Sequence, residues 1–155
     1  MIYILQIAFL SVISMIYLYA IYKLILIIIK PNLKNTASTL LRVGFLVSSA
    51  VNLYAICQSI IDSLEFYISK NEFLEAAIFS FGAAVAIFLI SLILIRGSFY
   101  IISIFTKEDE MVEINNNNIE LVLIHITIII TITALIAPVL ANFAESFISF
   151  PTVPF

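Results

Sequence analysis

A chain of 155 residues that is 63% hydrophobic and only 11% charged lacks the polar surface of a soluble domain, in which about 25% of residues carry charge. Its net charge of −3 gives a nucleic-acid partner no electrostatic basis. The single cysteine, Cys57, excludes an internal disulfide and a thiolate metal cluster, and reads as a small buried hydrophobe.

Four uncharged stretches follow one another along the chain, over residues 1–22, 43–61, 76–95 and 121–144. Each is near or above the ~20 residues that a helix needs to cross the hydrocarbon of a bilayer. Backbone groups must find partners within the segment there, so the stretches are predicted as helices. Their apolar–polar alternation is weak, which argues against outer-membrane strands. The first stretch lacks a basic leader and is too long for the core of a signal peptide. The expected fold is all-α: a polytopic membrane protein of four transmembrane helices in a single membrane domain.

The connections carry the charge. Lys23, Lys30, Lys34 and Arg42 flank the first, Arg96 and Lys107 the third, and Lys70 alone the second. Basic residues gather on the cytoplasmic side, so the first and third connections are placed there. Both termini and the acidic loop 62–75 then lie outside. After Lys23 and after Arg96 the apolar pattern continues (24–29 and 97–106), which predicts long odd-numbered helices whose cations snorkel at the interface.

The halves are alike, and the organisation reads as two parallel two-helix repeats over 1–62 and 76–145, with 146–155 as an interfacial tail. Each repeat has a long helix, a polar connection ending in Asn, and a second helix. The shift that puts Asn35 on Asn118 also puts Arg42 on His125. Repeats of this kind would be related by an axis along the membrane normal. Asn35 and Asn118 are candidate N-caps for the helices that follow, and Glu120 suits the first turn of the second of them.

In the first half, Asn35-Thr36-Ala37-Ser38 leads into an apolar helix with Gly44. In the second, Glu113-Ile114, a spacer and Asn118-Ile119 lead into the last helix. This layout resembles the domain-of-unknown-function 350 family, small bacterial membrane proteins built from duplicated helix pairs. The first copy lacks the acidic–aliphatic pair of that pattern, and Glu120 and Thr127 stand where Ala and Gly would fall. The resemblance implies an inner-membrane protein and no established reaction.

Arg42 and His125 lie about 10 Å along their helices from the capping Asn. Ionisable groups at such depth face a bundle interior, a cavity or a partner. They form, with Glu120 as counter-charge, a candidate polar intramembrane site. Gly44, Ser48 and Asn52, and likewise Gly82 and Ala86, recur at helical spacing and read as helix-packing faces, within the chain or between copies. No phosphate loop, metal-ligand cluster or nucleophile elbow is present, so neither a cofactor nor an enzymatic reaction is expected. The favoured expectation is a scaffold or accessory subunit of an envelope-associated system. It would sit in the bilayer as a homo-oligomer and dock a protein partner at its cytoplasmic connections. The alternative is a small oligomeric channel or transport module for an ion or small solute.

Overall fold

The computed structural model describes residues 2–29, 35–70, 72–106 and 109–148. They form α1 (Ile2–Ile28), α2 (Thr36–Ser69), α3 (Phe73–Thr106), the short α4 (Glu110–Asn115) and α5 (Ile119–Ile148), with no strand among them. Four of these helices, all but α4, are long and apolar enough to cross a membrane. The protein is an all-α, multi-pass membrane protein.

The surface confirms the solvent. Ile4 is 74% exposed, Leu135 71% and Val139 64%, a pattern that water would punish and lipid tails accept. The interior holds Gln6, Asn52, Thr133, His125, Glu110 and eight serines, all buried. Without a hydrophobic force between helices in lipid, close packing and interhelical hydrogen bonds hold a bundle together. Helix α2 is the hub and packs against α1, α3 and α5, while α5 also meets α3 and α4. Its buried side, through Leu41, Phe45, Ser49, Leu53, Ile56 and Ile60, recurs every three or four residues, the spacing of one helix face.

Three segments differ from the sequence expectation. Most of the expected loop 62–75 is helical: α2 runs to Ser69 and α3 begins at Phe73. The charges Asp62, Glu65 and Glu75 sit on exposed sides while Ser63, Leu64 and Ala76 remain buried. Gln58 Nε2 donates to Asp62 Oδ1 at 2.7 Å, one turn on. A charged helix end thus needs no break in the helix. The two helices have 34 residues each, about 51 Å at 1.5 Å per residue, well beyond the ~30 Å hydrocarbon. The third connection is likewise not plain coil, for it contains α4. The tail is helical through Ile148; residues 149–155 lie outside the described residues, as do Lys30, Lys34 and Lys107. As the apolar extensions suggest, α1 passes unbroken through Lys23 and α3 through Arg96. Lys23 Nζ lies 5.4 Å from the centre of the Tyr19 ring.

Candidate functional site

The site lies at the end of the bundle where α1 and α3 finish and α2 and α5 begin. Asparagines organise it. Asn35 caps α2 by accepting from the Ser38 N–H at 2.8 Å. Asn118 does the same for α5 through the Leu121 N–H at 3.1 Å. Each amide then uses its NH2 group elsewhere. Asn35 Nδ2 donates across to the Ile114 carbonyl at 2.6 Å, and Asn118 Nδ2 donates to Glu113 Oε2 at 2.8 Å. Asn117 returns the link, its Oδ1 accepting from the Ala37 N–H at 2.9 Å. It does so from a left-handed backbone with φ 59°, which Asn tolerates better than most residues. The start of α2 and the α4–α5 turn are therefore bonded in both directions. Asn35→Ala removes a cap and a cross-connection bond together, and is expected to cost about 1–2 kcal/mol in equilibrium unfolding.

Beneath this cap lies a buried acid–histidine pair. His125 is fully buried and its Nδ1 meets Glu110 Oε1. Its Nε2 is 2.7 Å from Ser98 Oγ. Since the Ser98 hydroxyl donates to the Ile95 carbonyl, it can only accept from the ring, so Nε2 carries a proton. Phe45 and Phe99 stand edge-on to the imidazole, with centroids 5.2 and 4.8 Å away, and 5.5 Å from each other. Helices α2, α3, α4 and α5 each contribute one or more side chains to this cluster. Its effect is to latch α4 onto the bundle.

The sequence-derived site is rearranged. His125 is central, but its carboxylate is Glu110 rather than Glu120, which is exposed in the first turn of α5. Arg42 is half-buried and reaches toward α1, with Nη2 3.5 Å from the Ile29 carbonyl. In the sequence Glu110 is one of a run of acids, from which its charge does not set it apart. The available signal was the apolar spacing of Met111 and Ile114 behind an Asp109 cap, which turns one acid of a short helix inward. Asp109 does cap α4, accepting from the Met111 N–H at 3.0 Å.

Deeper in the bundle, polar groups join the helices. Asn52 Nδ2 donates to Ser91 Oγ at 3.1 Å, Ser91 bonds the Tyr17 hydroxyl at 2.7 Å, and Tyr17 donates to the Ser49 carbonyl at 3.1 Å. This directed chain ties α1, α2 and α3. Ser48 and Thr133 tie α2 to α5 at 2.6 Å. Tyr17→Phe breaks the first chain and is expected to lower stability by about 0.6 kcal/mol, the usual worth of such a bond in lipid, when unfolding is measured in bicelles.

The small residues divide. Gly44, Ser48 and Asn52 are buried in the α2 contacts. Gly82 and Ala86 are exposed and line an apolar groove of about 400 Å³ with Ile78, Leu140 and Phe143. Their packing role within the chain is therefore not realised, because α3 and α5 stand apart at that level. No group of three or more metal-ligating side chains occurs among the described residues. Compared with protein-family models, with curated proteins and with solved structures, the chain matches none.

Proposed function

We propose that this chain is a scaffold or accessory subunit of an envelope-associated system in the bacterial inner membrane. Its docking surface is the end capped by Asn35 and Asn118, placed in the cytoplasm by the basic residues of the first and third connections. The observation that carries this reading is the latched connection: Asn35 and Asn117 bond the start of α2 to the α4–α5 turn, and Glu110–His125 holds α4 down. A surface fixed before binding loses less entropy on binding. Asp109, Val112, Glu113, Asn116 and Glu120 are at least partly exposed on it, and their charge favours a basic segment of a partner protein. The matching roles of Asn35 and Asn118 agree with a duplicated origin and with the resemblance to the domain-of-unknown-function 350 family. A homo-oligomer belongs to the same proposal, with the groove at Gly82 and Ala86 receiving a helix of a second copy.

A photo-crosslinker at Val112 is expected to join one discrete protein in cells. Charge reversal at Glu113 and Glu120 is expected to abolish the adduct, and a probe at the lipid-exposed Tyr54, near the middle of α2, to form none. Transport is the second reading, favoured by the buried acid–histidine pair, since intramembrane ionisable groups often mark ion or proton pathways. Proteoliposomes decide between the two. Ion or proton flux that His125→Ala removes would replace the scaffold reading, whereas a folded protein without flux leaves it standing.

A further inference from the structure

The lipid-facing side of α5 carries polar groups that the chain itself leaves without partners. Pro138 stands inside the helix and has no N–H, so the Ala134 carbonyl lacks its donor one turn on. Ala134 is exposed, and no side chain among the described residues bonds to that carbonyl. Thr131 and Asn142 are exposed too, three residues before Ala134 and eight beyond it, the spacing of one helix face. Neither side chain has a hydrogen-bond partner among the described residues. Other exposed hydroxyls satisfy themselves: those of Ser11, Ser103 and Thr127 each donate to a carbonyl of the preceding turn. Ala134 lies at the middle of α5 (Ile119–Ile148), and Asn142 about 12 Å further along at 1.5 Å per residue. Both fall inside the roughly 15 Å half-thickness of the hydrocarbon, where a polar group without a partner is costly.

We propose that this face of α5 is a contact between two copies of the chain, related by a twofold axis along the membrane normal. A membrane helix tolerates proline when a neighbouring helix or a hydroxyl supplies the missing donor, and this side of α5 meets no neighbour within the chain. The face is its own complement in charge. It carries partial positive charge at the Thr131 hydroxyl and the Asn142 amide N–H, and partial negative charge at the Ala134 and Asn142 carbonyls. A twofold axis brings the donors of each copy to the acceptors of the other, and an amide pairs with its own counterpart. No third protein is needed to match it. Alanine and threonine are small enough to let the two backbones approach. The proposal rests on the homo-oligomer inferred above but names a different surface. Leu140, Phe143 and Ala144 line the groove at Gly82, and at 3.6 residues per turn they stand on another side of α5.

The test is fluorescence energy transfer between labelled copies of the whole protein in proteoliposomes, followed as the protein is diluted with lipid. Wild type is expected to associate. Asn142→Leu removes the amide pair and is expected to weaken association about threefold, the worth of one hydrogen bond in lipid. Ala134→Ile sets a branched side chain between the backbones and is expected to weaken it about tenfold. Both positions are exposed, so unfolding of the diluted monomer, equal in wild type and variants, keeps folding out of the result. In a Cys57→Ser chain, Ala134→Cys is expected to oxidise to a disulfide-linked dimer, whereas Cys at the exposed Ile93 of α3 is not. Equal crosslinking at the two positions, or a wild type that stays monomeric, overturns the proposal. Association that survives Ala134→Ile and is lost in Gly82→Leu overturns it as well, and leaves the groove as the place where copies meet.

Discussion

Replacing His125 with alanine lowers the stability of the bundle by about 3–5 kcal/mol, the loss expected when one partner of a buried pair is removed. Two penalties act together. Glu110, 5% exposed, keeps its burial but loses the group that its Oε1 meets. The imidazole also leaves a hole between Phe45 and Phe99, whose rings both contact it, and a cavity adds to the lost contacts. The double variant His125→Phe/Glu110→Leu restores most of the loss, because apolar groups of similar shape need no partner. Equilibrium unfolding in bicelles measures both. Limited proteolysis adds a local readout: freed from its latch, α4 is cut at residues 109–118 in His125→Ala and resists in the double variant. A double variant as unstable as the single one would show that the cluster works through its shape rather than through the pair.

What sequence could and could not foresee follows from the range of the forces involved. The four spanning helices are written in hydropathy, a property of each segment alone, and segment-level reading finds them. The caps are also local: Asn35 and Asn118 act on backbone three residues ahead. The charges of residues 62–75 suggest a loop, whereas a helix that outlasts the hydrocarbon carries charge on its exposed side without breaking. Glu110 is the instructive miss. Its burial depends on α4 folding back beneath the cap, which depends in turn on Asn35 and Asn117 bonding across residues far apart in the chain. No window along the sequence contains that arrangement. Gly82 and Gly44 show the same limit from the other side, since both sit in small-residue patterns and only the tertiary contact tells them apart.

That contrast yields the second large effect. A Cβ built on Gly44 would stand 2.5 Å from Ile126 Cγ1, 3.0 Å from Cγ2 and 3.1 Å from Cδ1. The first two are branch atoms at the Cβ of isoleucine, and χ1 of a β-branched residue in a helix has one strongly preferred rotamer. Ile126 therefore cannot swing clear, and α2 and α5 must separate. One turn along α2 the separation stretches the 2.6 Å bond between Ser48 and Thr133. Gly44→Ala is expected to destabilise by about 1–3 kcal/mol, the range for overpacking. Adding Ile126→Ala removes every atom in the clash, so the cycle of single and double variants shows a favourable coupling between the two substitutions. At Gly82 a Cβ meets nothing within 4 Å, and the same substitution stabilises the monomer by about 0.5–1 kcal/mol, since alanine suits a helix interior better than glycine. Opposite signs at the two glycines place the tight seam of the bundle between α2 and α5. Equal signs would mean that Gly44 is accommodated by a shift of α5, and that the Ser48–Thr133 bond tolerates it.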